Sequence, residues 1–185
     1  MKNWTAMTLA ACLGSCVTGV ALAADAAGSS YFEASYAFPK LAFNASDVDP
    51  TLPSEHLSFN QNTLVARAGF NFNRNFAVEA MGAVGLSSGS VNGVTLKVNS
   101  AFGVYLKGQV EVAPHFELYA RAGMARTTLS TNVASGTGSD NSFSYGAGAQ
   151  YLFNRNWYLQ GEYTSLYDKD GVRINGPAIG VGCRF

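Results

Sequence analysis

Polar and apolar residues alternate with period two in segment after segment of this chain, the pattern of strands whose two faces meet different surroundings. Eight such segments occupy residues 31–38, 63–72, 76–86, 98–110, 116–126, 142–153, 157–167 and 177–185. In the fourth, Phe102, Val104, Leu106 and Val110 share one face, while Ala101, Tyr105, Lys107 and Gln109 share the other. The connectors alternate in length. Residues 73–75, 112–115 and 154–156 predict tight turns, whereas 39–62, 87–94, 127–141 and 168–176 predict longer loops rich in Ser, Asn, Asp and Gly. The turn Phe72-Asn73-Arg74-Asn75-Phe76 returns as Phe153-Asn154-Arg155-Asn156-Trp157. Asn tolerates positive φ, which suits it to a tight hairpin connection. After the leader, no stretch approaches the roughly 18 consecutive apolar residues that a membrane helix needs.

Sorting the charges by face gives the pattern a meaning. The face carrying Phe32, Ala34, Tyr36 and Phe38, with its equivalents in the other strands, holds no Asp, Glu or Lys, and its one Arg is Arg126 at a strand end. The opposite face holds Glu33, Arg67, Glu79, Lys97, Lys107, Glu111, Glu117, Arg121, Glu162 and Arg184, five acids against five bases. Aromatic residues mark both ends of the charge-free face: Phe72, Phe76, Phe116, Phe153, Trp157 and Phe185 beside the short turns, and Tyr36, Phe38, Phe143, Tyr163 and Tyr167 toward the long loops. Two aromatic girdles around an apolar band suit a bilayer with its two interfaces. A sheet in lipid must close on itself, because an open edge leaves backbone groups unsatisfied where no water reaches. The pattern therefore predicts an all-β fold: an eight-stranded antiparallel up-and-down transmembrane β-barrel with short periplasmic turns and longer extracellular loops. Inward glycines, among them Gly69, Gly85, Gly103, Gly123, Gly146, Gly148, Gly180 and Gly182, leave room for long charged side chains in a narrow lumen. Neighbouring strands suggest luminal pairs such as Glu79 with Arg67 or Glu117 with Arg121.

Residues 1–23 read as a cleaved secretory signal peptide, with Lys2 near the start, an apolar stretch, and Ala21-Leu22-Ala23 before the cut; residues 24–185 are the barrel domain. An uncleaved anchor and a lipoprotein box at Leu13-Gly14-Ser15-Cys16 are the weaker readings. Cys12 and Cys16 leave with the signal, so Cys183 remains alone and no internal disulfide can form.

Composition adds two exclusions. Only 13% of the 185 residues are charged, against roughly 25% in soluble domains. Lys plus Arg equals Asp plus Glu at 12 each, so no basic field gathers nucleic acid.

The closing strand Ile179-Gly180-Val181-Gly182-Cys183-Arg184-Phe185 and the segment Phe143-Ser144-Tyr145-Gly146-Ala147-Gly148-Ala149-Gln150-Tyr151, together with the leader, resemble the OmpA-type outer-membrane β-barrel family over nearly all of residues 29–185. The resemblance implies a Gram-negative outer membrane, contact with outer-membrane lipid and lipopolysaccharide, and a C-terminal signal for the barrel assembly machinery at Ile179, Val181, Cys183 and Phe185. Cys183 departs from the family, which more often has an aromatic residue there. The periplasmic peptidoglycan-binding domain of full-length OmpA has no counterpart in this sequence, so cell-wall tethering is not expected.

The favoured function is non-enzymatic: a structural or surface-interacting barrel with a plugged, charge-balanced lumen and extracellular loops open to a ligand. Loop charges lean acidic by three, with Lys40, Lys169 and Arg173 against Asp47, Asp49, Glu55, Asp140, Asp168 and Asp170. The alternative is a narrow small-solute or ion pore, which the polar lumen suggests and the charge balance opposes. Less favoured is a lipid A-modifying enzyme, since some eight-stranded barrels are acyltransferases or deacylases. Such chemistry needs a nucleophile and a base at the rim, and the chain offers only His115 beside Pro114 in a turn and His56 near Ser54, Glu55 and Ser58. The palmitoyltransferase barrels also place an amphipathic helix before the first strand, for which residues 24–30 are too few. No cofactor is expected, and no zinc-type ligand spacing occurs. Asp168-Lys169-Asp170-Gly171 matches only a fragment of a calcium loop.

Overall fold

The computed structural model describes residues 28–44, 56–60, 62–86, 89–91, 94–131, 137–169 and 172–185. The expected signal peptide lies outside them. Eleven strands run in chain order: β1 Ser30–Ala37, β2 Lys40–Asn44, β3 His56–Asn60, β4 Thr63–Asn71, β5 Phe76–Gly85, β6 Gly89–Val91, β7 Val94–Ala113, β8 Phe116–Thr131, β9 Thr137–Leu152, β10 Trp157–Lys169 and β11 Val172–Arg184. Eight of them, β1, β4, β5 and β7 to β11, pair antiparallel with their neighbours, and β1 returns to β11 to close an eight-stranded barrel. Closure runs in register from Tyr31 opposite Arg184 to Ala37 opposite Ala178. No strand of the wall is left with an unpaired edge, the condition for a sheet surrounded by lipid.

The alternation seen in the sequence is the alternation of burial. Along β5, Ala77, Glu79, Met81 and Ala83 are buried, whereas Phe76, Val78 and Val84 are exposed. The apolar residues thus face outward and the charged ones inward, the reverse of a soluble sandwich. Phe102 and Val104, 65% and 62% exposed, stand on the outer wall. Toward the end with the long connectors, the lumen is filled by Val65, Met81, Ala83, Ala101, Tyr105 and Ala125, with Ala37 and Leu166 packed against them.

The long connectors are less loop-like than their composition suggests. The segment 39–62 contains the hairpin β2–β3, and β2 takes the place of β1 beside β11, pairing Leu41 with Ile174. The segment 87–94 contains β6, while β8 to β11 run on into what the sequence marks as loops. The Ser, Asn and Gly that signal loops are tolerated here because each extension is paired by its hairpin partner, as Thr127 is with Asp140.

The repeated turns are built alike, though not by positive φ at Asn. Asn73 Oδ1 accepts the N–H groups of Asn75 at 2.9 Å and Phe76 at 2.7 Å, and Asn154 Oδ1 accepts those of Asn156 at 2.9 Å and Trp157 at 2.8 Å. The second Asn ties each turn to the next strand: Asn75 Nδ2 donates to the Gln109 carbonyl and Asn156 Nδ2 to that of Arg184. These are Asx turns, in which the side-chain acceptor does the work assigned to backbone conformation. Among the described non-glycine residues, positive φ falls at His115 (67°), in the turn after β7.

Candidate functional site

The inward charges condense into a network across the middle of the lumen. Glu33 on β1 accepts from Lys107 Nζ at 2.9 Å, Arg121 Nη1 and Nη2 at 3.3 and 3.2 Å, the Tyr158 hydroxyl at 2.9 Å and Gln160 Nε2 at 3.2 Å. Glu79 on β5 accepts from the Tyr31 hydroxyl at 2.6 Å and Arg121 Nη1 at 2.9 Å, with Lys107 Nζ 3.8 Å away. Glu162 on β10 takes Arg67 Nη2 at 2.8 Å, the Tyr119 hydroxyl at 3.1 Å and Thr164 Oγ1 at 2.8 Å, and forms an ion pair with Arg121 Nε at 3.2 Å. Arg121 therefore touches all three carboxylates. With Lys107 and Arg67 it balances them three against three. Lys107 Nζ also lies 4.8 Å from the Tyr31 ring and 4.6 Å from the Tyr119 ring, a cation–π cage that compensates its lost hydration. Nearer the short turns a separate pair joins Arg184 to Glu117 at 2.6 Å, and Gln150 donates to the same carboxylate.

Nothing in the sequence pattern marks the tyrosines of this network as site residues. Among the described side chains, four tyrosines point inward, and each sits directly across from an inward glycine: Tyr31 from Gly69, Tyr105 from Gly123, Tyr119 from Gly148 and Tyr158 from Gly182. A Cβ built on Gly69 or Gly182 would overlap the ring of Tyr31 or Tyr158. The missing side chain lets the ring lie across the partner strand; the hydroxyls of Tyr31, Tyr119 and Tyr158 then reach a glutamate, and that of Tyr105 reaches Ser144. The inward glycines thus make room for tyrosines as well as for charges. Gly182→Val is expected to lift Tyr158 off the wall and destabilise the barrel by about 1–3 kcal/mol, the usual range for overpacking. Urea unfolding of the micelle-bound protein, followed by tryptophan fluorescence, would measure it, and an unchanged midpoint would refute the ring-over-glycine arrangement.

The neighbouring-strand pairings give way to cross-lumen ones. Glu79 pairs with Arg121 and Lys107 rather than Arg67, because register places Glu79 opposite Gly69 and Arg67 opposite Met81. Glu117 pairs with Arg184 rather than Arg121. In a narrow barrel a long side chain reaches the opposite wall as easily as the adjacent strand. Glu111 is exposed beside the irregularity between Glu111 and Ala113, at the end of the β7–β8 hairpin, and stands outside the central network. Lys97 lies on the extension of β7 beyond another irregularity, between Val98 and Ser100, and its side chain is outside the described part.

Of the aromatic positions, Phe38, Phe72, Phe76, Phe116, Phe143, Phe153, Tyr163 and Phe185 are exposed on the outer wall, and Tyr36 and Trp157 are half-buried. Phe70, Phe102, Tyr145 and Tyr151 are exposed there too, so aromatics extend into the band between the girdles. The Tyr167 side chain is outside the described part. Ile179, Val181 and Phe185 of the closing strand point outward, but Cys183 is 2% exposed, aligned between Phe32 and Trp157. Arg126 is exposed on the outer wall, opposite Phe102 and Asn141. His56 lies in β3 with its side chain outside the described part, and Asp47, Asp49, Glu55 and Asp170 are outside the described residues altogether. Among the described residues, no group of three or more His, Cys, Asp or Glu could hold a metal ion.

A family profile described as outer membrane protein beta-barrel domain matches residues 8–185. Among solved structures, the attachment invasion locus protein Ail of Yersinia pestis, crystallised with the heparin analogue sucrose octasulfate, is 18% identical, with 86% of this chain and 99% of that one covered at a TM-score of 0.61. Neisserial surface protein A is 17% identical over 85% and 97% of the two chains, with a TM-score of 0.54. OprG of Pseudomonas aeruginosa is 13% identical over 89% and 99%, also with a TM-score of 0.54. These likenesses are of fold. No curated protein matches the chain.

Proposed function

Since the chain belongs to the outer membrane protein beta-barrel family, whose barrels lie in the outer membrane of Gram-negative bacteria, we propose that it serves there as a closed, non-conducting scaffold that holds its long hairpins at the cell surface. Closure in two layers carries this reading. The ion network of Glu33, Glu79, Glu162, Arg67, Lys107 and Arg121 crosses the lumen, and all six side chains are nearly or fully buried. The apolar layer of Val65, Met81, Ala83, Ala101 and Ala125 lies on its hairpin side. An ion entering this lumen would have to break paired charges on one side and leave water for alkyl groups on the other, and both steps are costly. The balance of three acids and three bases also offers no single-sign path.

The role is non-enzymatic in this reading. Ser144, the most buried inward serine among the described residues, donates to the Ser165 carbonyl and accepts from the Tyr105 hydroxyl, so its hydroxyl is held by structural partners. Its partner at the surface would meet hairpins of net acidic charge, which favours a basic surface over a sulfated sugar of the kind bound to Ail. Residues 24–185 would be the mature chain, delivered by the 1–23 leader and inserted through the signal ending at Phe185. In planar lipid bilayers the purified protein is expected to give no stable conductance steps. Reproducible discrete steps at moderate voltage would overturn the closed-scaffold reading in favour of a narrow pore.

A further inference from the structure

The wall of the barrel is interrupted where β1 hands over to β2. β1 ends at Ala37, opposite Thr63, and β2 resumes at Lys40, opposite Asn60. Between them stands Pro39, buried and without an N–H to give to a ladder. Beside it Gly176 lets the chain pass close, since a Cβ there would come within 2.5 Å of the Phe38 carbonyl oxygen. The inward positions at this level, Ala37 and Ala178, are small and lie opposite each other, so the wall leaves space inside it.

That space is a cavity on the hairpin side of the ion network, walled by Val65, Met81, Leu166 and Ile174 and floored by Arg67 and Glu162. Its free volume is about 40 Å³, which at roughly 10–15 Å³ for each water-sized group gives room for about three or four. The surface it presents is almost wholly apolar. Arg67 Nε and Nη1 are buried, and the Glu162 carboxylate is held by Arg67, Tyr119, Thr164 and Arg121. A buried water needs about two to four polar partners, and the Thr164 hydroxyl already donates to Glu162. Apolar cavities of this kind stay dry.

We propose that this cavity binds a small uncharged apolar molecule of about three or four non-hydrogen atoms. Such a molecule makes the contacts that the lining of an empty cavity forfeits, and it asks no hydrogen bond of the walls. A polar or charged solute loses its hydration on entry and recovers little of it from alkyl groups. The site goes beyond the scaffold role and stands apart from the question of conduction, since it ends at the ion network and needs no path through it.

The probe is xenon, applied under pressure to the folded protein with ¹³C-labelled methyl groups in detergent micelles. A saturable shift of the Met81 and Ile174 methyl resonances is expected, while Val104 and Met124, exposed on the outer wall, report partition into the micelle as a shift linear in pressure. Propionate at constant ionic strength is expected to leave Met81 unmoved. Ala178→Leu, which places a larger side chain in the cavity, is expected to abolish the saturable shift. Met81→Ala, which enlarges the cavity, is expected to admit benzene with a saturable shift at Ile174, and it keeps the test decisive should Ala178→Leu fail to fold. A linear response at Met81 like that of Met124, a saturable response to propionate, an undiminished xenon shift in Ala178→Leu or no benzene binding in Met81→Ala would overturn the proposal.

Discussion

Arg121→Met is expected to destabilise the barrel by about 3–5 kcal/mol, the range for removing one partner of a buried ion pair. The guanidinium is the shared partner of three carboxylates, at 3.2 Å from Glu33, 2.9 Å from Glu79 and 3.2 Å from Glu162. Met fills much the same volume, so the loss is one of charge and hydrogen bonds rather than packing. Without Arg121, three acids face Lys107 and Arg67 alone in a site that excludes water. The Arg121→Met, Glu79→Gln double variant restores the balance at two against two and is expected to recover part of the loss, a coupling that a double-mutant cycle isolates. Arg184→Met, at a pair whose side chains are 14% exposed, should cost less than Arg121→Met, because water partly screens the charge left behind and Gln150 still donates to Glu117. Urea unfolding in micelles measures all three. A cost below about 1 kcal/mol for Arg121→Met would mean that the lumen is hydrated enough to screen its charges, against the closed scaffold.

Val104→Arg tests the other face. Val104 is 62% exposed on the outer wall, flanked in register by Ala80 and Met124. Its position falls between the aromatics of the short-turn end and Arg126 of the hairpin end. In water, replacing an exposed Val on a sheet with Arg costs little. In hydrocarbon near the bilayer midplane an Arg costs about 2–4 kcal/mol, falling to about 0–1 near the interfaces. Val104→Arg is therefore expected to lose that larger amount in lipid bilayers, and Val112→Arg, beside the short turn, to change stability little. Folding equilibria in vesicles would compare them, and equal, small losses at both positions would contradict a bilayer around Val104.

Much of this was legible because a barrel in lipid reads as alternation with its faces reversed. The charge-free run of Phe32, Ala34 and Tyr36 and its equivalents placed the outer wall, and Glu33, Glu79, Lys107, Arg121 and Glu162 were placed inside by the same period of two. The hairpin β2–β3 was not legible, because the Ser, Asn and Asp of segment 39–62 signal a loop, and it is the pairing of β2 with β11 and of β3 with β2 that makes strands of Lys40–Asn44 and His56–Asn60. Nor were the tyrosines of the network. Tyr31 and Tyr158 alternate as any inward residue does, and their role depends on the glycine across from them. The Asn turns were located correctly but by the wrong mechanism, since the acceptor Oδ1 rather than backbone φ holds them.

The strands of the wall, the face of each that meets lipid and the balance of the inward charges can all be read along the chain. Those properties follow from local periodicity, which any segment carries alone. Closure of the barrel settles that Arg121 serves three glutamates, that Glu117 turns to Arg184 and that Glu111 is left at the rim. Pairing across a lumen depends on how β1, β5, β8 and β10 are brought round by closure and on the register of strands far apart in the chain. A period of two fixes which way a side chain points, but not what stands on the opposite wall.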